Sequence, residues 1–182
     1  MFFRIVCTVS FVLGLGISSF AQEPKEAPVE LEVVKSSIGV WDAEVKVWMS
    51  GLDAPPTQFK GVETNKAFGK YWLSSDFDSE FMGQTTSVHS IVGYDLDKKK
   101  LVATIIDAGP YAASMTGDYD QATKCITWIT KVKDANGKPL VQKTTVTLTK
   151  DDVRQLVLSV PDPDDAKKFI KFMEIEYTKR KK

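Results

Sequence analysis

The single histidine of the chain, His89, is the side chain best suited to move protons or ligate a metal near neutral pH. Paired with Asp76 or Asp107, it would supply the base and carboxylate that hydrolases and isomerases use for acid–base chemistry. The sequence has no Gly-x-Ser-x-Gly, His-Glu-x-x-His or Cys-x-x-Cys motif and no phosphate-binding glycine loop. We therefore expect no catalytic site and no enzyme. An enzyme that uses His89 with one of these aspartates is kept as the third hypothesis for function.

Two orientations are open for His89 in the predicted strand 85–94. It alternates against Val88, Val92 and Tyr94, so its side chain faces the opposite side of the strand from theirs. In one orientation it is a structural or surface imidazole. In the other it points into the domain and orients or ligates a bound molecule, as histidine does for haem iron.

Aspartates occur in Asp-x-Asp pairs, a spacing also found in calcium sites. The pairs are Asp76 and Asp78, Asp95 and Asp97, and Asp118 and Asp120. None continues with the glycine and distal glutamate of a calcium-binding loop, and aspartates commonly bond to backbone amides in turns. We expect neither a metal site nor a cofactor. Asp107 differs because it ends an apolar strand beside a Gly-Pro turn, where it can anchor a rim or meet a ligand's polar end.

Aromatic residues are frequent on predicted strands or at their ends, and they would line any interior cavity. Together with the two polar candidates, they form the set of residues that we expect to bind a ligand. This set is Trp41, Trp72, His89, Tyr94, Asp107, Tyr111 and Trp128.

The elements that must position these residues are short strands with a two-residue rhythm. In 40–49, Trp41, Ala43 and Val45 alternate with Asp42 and Glu44, which predicts a half-buried strand. The same reasoning predicts strands at 40–49, 59–68, 71–77, 85–94, 101–107, 111–120, 124–133, 140–149, 153–160 and 169–177. A short helix is predicted over 29–37, because Leu31, Val34 and Ile38 recur at helical spacing before Gly39.

This pattern predicts an all-β fold, an up-and-down antiparallel β-barrel of about ten strands with a short N-terminal helix. Short connections favour pairing of consecutive strands, and a sheet of that length tends to curl until its first and last strands meet. A β-sandwich is the alternative, because barrel closure is inferred and not read directly from the residues.

The N-terminal residues favour export. Arg4 precedes the apolar run 5–20 and the small-residue site Ser19-Phe20-Ala21, which predicts a signal peptide over 1–21. An uncleaved N-terminal anchor is the alternative. A disordered leader is predicted over 22–28 and a single domain over 29–182, in a periplasmic or secreted protein. We expect no stable membrane insertion after cleavage of the signal.

Charge and cysteine usage narrow the possible partners. The chain has 24 Lys and Arg against 24 Asp and Glu, a balance that argues against nucleic-acid binding. Only Cys125 remains after signal removal, so no disulfide can form within the mature chain, and its strand setting is typical of a small buried residue. The oligomeric state is not predicted.

Several short motifs resemble those of known families. Gly39-Val-Trp41 at the head of the first strand resembles the Gly-x-Trp signature of the lipocalin and calycin superfamily. With Gly93-Tyr94-Asp95, Asp107-Ala-Gly109 and Gly117-Asp-Tyr-Asp120, the chain resembles domain-of-unknown-function family 1579, a family of exported bacterial proteins, over residues 31–178. The resemblance implies a lipocalin-like barrel, with Trp41 across its closed end, and it implies no activity.

Two further hypotheses for function follow from this fold. The leading one is a binding module that holds a small, largely apolar molecule inside the barrel. The second is a structural or interaction domain with a filled core that acts through its rim loops, for which Trp48 and the loop containing Pro55-Pro56 are the candidate surface. Haem binding through His89 is a variant of the first.

Overall fold

The structure is a computed structural model that describes residues 28–110, 112–133, 137–150, 152–165 and 167–181. Within these residues, one helix precedes ten strands. The elements are α1 (Val29–Ser36), β1 (Gly39–Val47), β2 (Thr57–Phe68), β3 (Trp72–Phe81), β4 (Gln84–Asp95), β5 (Lys100–Ile106), β6 (Ala112–Asp120), β7 (Cys125–Lys133), β8 (Pro139–Lys150), β9 (Val153–Pro161) and β10 (Phe169–Lys179). The predicted signal peptide, and the predicted leader apart from Pro28, lie outside this range.

The strands close into one antiparallel barrel. Each strand pairs with the next along the chain, and β1 pairs with β10 to complete the ring. The seam is regular, running from Trp41 opposite Lys179 to Val47 opposite Met173. The predicted up-and-down barrel is therefore confirmed, and the sandwich alternative is wrong.

Alternation along each strand decides which side chains face the interior. In β1, Trp41, Ala43 and Val45 are buried while Asp42 and Glu44 are exposed, as the sequence pattern predicts. Burial of the apolar side of every strand supplies the main driving force for closure, since the hydrophobic effect scales with the apolar area removed from water.

Helix α1 covers one end of the barrel, which we call the closed end. Leu31 and Val34 lie one helical turn apart and are both buried against the barrel. Val34 packs in a cluster with Leu73, Leu101 and other residues of strand ends at this side. The opposite end, which carries the β1–β2, β3–β4 and β5–β6 connections, is the open end. Among the described residues, no helix is long and apolar enough to cross a membrane.

The β3–β4 hairpin is longer than the sequence pattern predicts. β3 continues to Phe81 instead of stopping at residue 77, because Asp78 and Glu80 take the outward positions of the strand. The reversal is made by Met82 and Gly83, whose φ angles of 52° and 75° suit a tight two-residue turn. This turn fixes the register that places Asp76 opposite His89.

Two tryptophans lie across glycines of the neighbouring strand. A Cβ atom on Gly93 would lie 2.4 Å from Cε3 of Trp72, and one on Gly117 would lie 2.6 Å from Cε3 of Trp128. Gly93 pairs with Trp72 and Gly117 pairs with Trp128 in the sheet register. Both glycines are therefore required for close approach of an aromatic ring to the backbone.

Candidate functional site

The barrel encloses a cavity of about 670 Å³, bounded by side chains from α1 and from all ten strands. This volume lies within the roughly 300–1,000 Å³ typical of small-molecule sites. Inward-facing residues thus surround a space instead of filling it. The cavity counts against the filled core that the structural hypothesis requires.

The space arises from small side chains along part of the wall. Ser75, Ser90, Ala103 and Ala113 face the interior from β3, β4, β5 and β6. They leave room that larger residues would occupy, such as those on the β2 and β9–β10 side, where Phe59, Leu156 and Met173 point inward. The buried apolar residues accordingly form two separate clusters instead of one continuous core.

The cavity wall is mainly apolar, with hydroxyl and amide groups on two sides. Ser79 and Thr86 share a hydrogen bond of 2.6 Å between their hydroxyl oxygens on the β3–β4 side. Thr130, Gln142 and Thr144 contribute polar groups on the β7–β8 side. Such a lining accommodates an apolar ligand while offering a few polar contacts that fix its orientation.

The cavity floor, at the closed end, is polar. It consists of Glu63, Asn65, Arg154 and Tyr177, which all line the cavity. Glu63 Oε1 accepts hydrogen bonds from Asn65 Nδ2, at 2.5 Å, and from Arg154 Nη2. Both members of the Glu63–Arg154 ion pair are largely buried, and buried ions of this kind persist only when they are paired and hydrogen-bonded.

Aromatic rings surround this floor. Arg154 Cζ lies 4.5 Å from the ring centroid of Trp41 and 4.3 Å from that of Tyr177, within the range of cation–π attraction. Trp41 Nε1 donates to the carbonyl oxygen of Ser37 at 2.8 Å, which ties β1 to the residue that follows α1. Burial raises the pKa of Tyr177 far above its ordinary value, and the nearby charge of Glu63 adds to the effect.

The predicted ligand-binding residues fall into three groups. Asp107 and Trp128 line the cavity, the former at the open end and the latter within the wall. Trp41 and Tyr94 pack among the core residues at the closed end but do not line the cavity. Tyr111 lies outside the described residues. A ligand contact by Asp107 or Trp128 stays a prediction.

Trp72 and His89 project from the outer surface of the barrel. Val88 and Ser90 line the cavity, so His89 between them faces outward, and about half of its side chain is exposed. Trp72 alternates with the buried Leu73 and covers Gly93 from the outside. Strand alternation therefore places both side chains on the outer face, which for His89 is the surface orientation of the two left open by the sequence, and contact of either with a ligand stays a prediction.

His89 does meet an aspartate. Its Nδ1 lies 2.6 Å from Asp76 Oδ1 across the β3–β4 pair, the partner that the enzyme hypothesis names. Beside it, Ser87 Oγ donates to Asp78 Oδ1 at 2.5 Å. All four side chains lie on the outer wall, away from the cavity, whereas acid–base catalysis normally operates in a cleft that holds the substrate. The outer location makes this pair a weaker candidate site than the cavity.

Asp107 has a local role at the open end. Its Oδ1 accepts a hydrogen bond from the backbone nitrogen of Gly109 at 2.7 Å, which shapes the start of the β5–β6 connection. Within the described ranges, no three His, Cys, Asp or Glu side chains come together in a group able to hold a metal ion.

Sequence reasoning missed the floor residues Glu63, Asn65 and Arg154. A signal for them exists, because Arg154 lies two residues before Leu156 and four before Leu158, and thus shares their apolar face of β9. A charged residue on the apolar face of a strand marks either a β-bulge that turns the side chain outward or a buried polar site. The same signal is present in β2, where Glu63 and Asn65 share a strand face with Phe59 and Gly61.

Comparison with known proteins assigns the chain to a family. The family model described as "Protein of unknown function (DUF1579)" matches residues 29–179. The chain belongs to this family. The DUF1579 match covers α1 and all ten strands, and the closed barrel is consistent with the lipocalin-like resemblance of the Gly-x-Trp head.

A solved structure shares the fold of this DUF1579 protein. The crystal structure of Rv2717c from M. tuberculosis matches with a TM-score of 0.63 and 9% sequence identity, covering 86% of this chain and 100% of that one. A redesigned β-barrel, b11L5F_LGL, matches with a TM-score of 0.40 and 9% identity, covering 82% and 96% of the two chains. A comparison with curated proteins gives no significant match.

Proposed function

We propose that this DUF1579 protein binds a small, largely apolar molecule inside the barrel. The observation that carries the proposal is the cavity of about 670 Å³ with its mainly apolar wall. Leaving such a space unfilled forfeits packing energy that larger side chains would recover. A protein that keeps the space gains a volume into which an apolar molecule can transfer from water.

The experiment is a titration of the purified mature protein with the neutral apolar fluorophore N-phenyl-1-naphthylamine. Two adjacent alanines of β6 provide matched variants, since Ala113 lines the cavity and Ala112 is exposed on the outer face. The substitution Ala113→Trp occupies cavity volume and should weaken binding at least tenfold. Ala112→Trp adds the same ring outside and should leave affinity within about twofold.

Equal effects of the two tryptophans, or no fluorescence increase with the unsubstituted protein, would remove the proposal. Native mass spectrometry of protein purified without denaturation, followed by solvent extraction, then identifies any molecule that copurifies. Loss of that molecule from Ala113→Trp but not from Ala112→Trp places it in the barrel.

We also propose export, on the basis of the charged start, apolar run and small-residue site of residues 1–21. Expression of the full chain in a bacterium, followed by cell fractionation, should recover protein whose first residue is Gln22. Recovery of uncleaved protein in the membrane fraction favours the anchor alternative instead.

A further inference from the structure

The cavity floor contains two buried polar atoms that lack a hydrogen-bond partner among the described residues. They are Arg154 Nε and Asn65 Oδ1, in residues whose exposed fractions are 7% and 3%. Buried polar atoms are almost always paired, since burying an unpaired one costs roughly 1–3 kcal/mol. Both residues line the cavity, although the two atoms themselves are covered, and this is the arrangement expected of a site that another molecule completes once the side chains turn toward it.

The two atoms belong to side chains that converge on a single point. Asn65 Nδ2 and Arg154 Nη2 both donate to Glu63 Oε1. Each unpartnered atom is two covalent bonds from the nitrogen that binds this oxygen. Arg154 Nε lacks an acceptor and Asn65 Oδ1 lacks a donor, because arginine only donates and an amide oxygen only accepts.

The charge of this floor is already balanced. The carboxylate of Glu63 neutralises the guanidinium of Arg154, and the Asn65 amide and the Tyr177 hydroxyl are uncharged. A second carboxylate at this point would face Glu63. Lys179 approaches the same tryptophan, with Nζ 5.1 Å from the ring centroid of Trp41, but it does not line the cavity and its Nζ donates to the carbonyl oxygen of Ser36. Burial of an unpaired charge is far more costly than burial of a hydrogen-bonded neutral group.

We propose that the floor binds the polar head of an amphiphilic ligand, and that this head is neutral and carries both a donor and an acceptor. A primary amide has this character, because its oxygen accepts from Arg154 and its nitrogen donates to Asn65. The inference rests on the proposed function, and it adds an orientation, with the head at the closed end and the apolar tail toward the open end.

The apolar wall of the cavity supports this orientation. Above the floor, the wall toward the open end includes Leu156, Leu158, Met173 and Val88, which provide apolar surface for a tail. Contact between the head and Asn65 Oδ1 requires a rotation about the last side-chain torsion of Asn65, which is broad in asparagine, and gives up the hydrogen bonds from Nδ2 to Glu63 and to the carbonyl oxygen of Ser37.

The experiment measures displacement of N-phenyl-1-naphthylamine from the mature protein at pH 7.5 by chain-matched ligands. Decanamide and decanoate share the same tail and differ in the charge and donor capacity of the head. We expect decanamide to bind at least tenfold more tightly than decanoate. Equal affinities would show that ordered water or relaxed side chains satisfy the floor, and would overturn the inference while the proposed function stands.

Variants test which residues set the preference. Glu63→Gln removes the charge that balances Arg154, so decanoate should gain at least tenfold in affinity and overtake decanamide. Glu176→Gln, an exposed position on β10, is the matched control and should change neither affinity. Asn65→Leu should weaken decanamide binding several-fold and leave decanoate nearly unchanged. An unaltered order of affinities in Glu63→Gln contradicts the inference.

Different results would contradict the proposed function and the head-group inference. If the fluorophore does not bind the unsubstituted protein, both the cavity function and the head-group inference fall. If it binds and is displaced without regard to the head group, only the inference falls. Should Glu63→Gln not fold, the comparison of decanamide with decanoate on unsubstituted protein still decides the question.

Discussion

The guanidinium of Arg154 on β9 packs against the indole of Trp41 on β1, with Cζ 4.5 Å from the ring centroid. These strands are not neighbours, since β10 lies between them in the ring. The contact therefore joins strands across the seam where the barrel closes. Glu63 extends the connection to β2 through its ion pair with Arg154.

Arg154→Met should destabilise the protein by about 3–5 kcal/mol, because it leaves the carboxylate of Glu63 buried without a partner. Methionine keeps much of the apolar stem, so the loss reports mainly on the charge. Urea denaturation followed by circular dichroism measures the change in the free energy of unfolding. The double variant Arg154→Met/Glu63→Gln should regain part of the loss, since it removes the unpaired charge.

Arg180→Met is the control for this prediction. Arg180 donates to Asp42 through Nε and Nη2, but both side chains are exposed, so water replaces the lost contact. Its effect should be far smaller than that of Arg154→Met. Similar effects of the two substitutions would mean that the buried pair contributes no more than a surface pair.

Gly117→Val should destabilise the barrel by about 1–3 kcal/mol, a typical cost of overpacking. The added Cβ would lie 2.6 Å from Cε3 of Trp128, too close for any real contact. Because valine favours strands more than glycine does, a loss of stability would come from the clash with Trp128 and not from strand propensity. Thr116→Val, at the adjacent exposed position, should be neutral or slightly stabilising, and a stabilising Gly117→Val would show that Trp128 moves freely.

Tyr177 should make stability depend on pH in the alkaline range. Burial raises the pKa of its hydroxyl in the folded state, so the unfolded chain loses that proton first, near the ordinary tyrosine pKa of about 10. The stabilising contribution is fully present below that pH and is lost as pH rises toward the folded pKa, at up to about 1.4 kcal/mol per pH unit.

Urea denaturation between pH 8 and pH 11.5 measures this effect by comparing unsubstituted protein with Tyr177→Phe. The difference in unfolding free energy should stay constant below about pH 10 and then shift in favour of Tyr177→Phe. Parallel curves over the whole range would contradict the raised pKa of the Tyr177 hydroxyl.

His89→Ala should leave cavity binding unchanged within about twofold, because the imidazole lies on the outer wall against Asp76. Titration with N-phenyl-1-naphthylamine checks this directly. Addition of haemin to both proteins tests the haem variant of the binding hypothesis, and the two absorption spectra should be the same. A Soret band that appears only with unsubstituted protein would show a His89-dependent site.

The barrel was predictable because its evidence is local. Alternation in β1 places Trp41, Ala43 and Val45 on one face, and the buried side chains in the structure are the same ones. Pairing of consecutive strands then follows from the short connections. Closure is not local, but it follows from strand number and from the cost of leaving two strands half-paired.

The site was less predictable, because the side of the barrel that a residue faces and the register of its strand both depend on residues that are distant in the sequence. Trp72 and Trp128 both cover a glycine of a neighbouring strand, yet one lies outside the barrel and the other inside. In β10 the register shifts between Lys171 and Met173, so Phe169 is exposed although simple alternation places it on the face of Met173. Such an irregularity leaves no mark in the hydrophobic pattern.

The seam between β1 and β10 also brings the end of the last strand next to the end of α1. Lys179 Nζ donates to the carbonyl oxygen of Ser36 at 3.0 Å, so the last strand meets the segment after α1 at the closed end. A fluorescent label, affinity tag or solid support attached at Ser36 or Lys181, which are both exposed, will therefore sit on the side away from the cavity mouth. Immobilised protein should present that mouth to solution, which suits it to direct measurement of ligand uptake on a sensor surface.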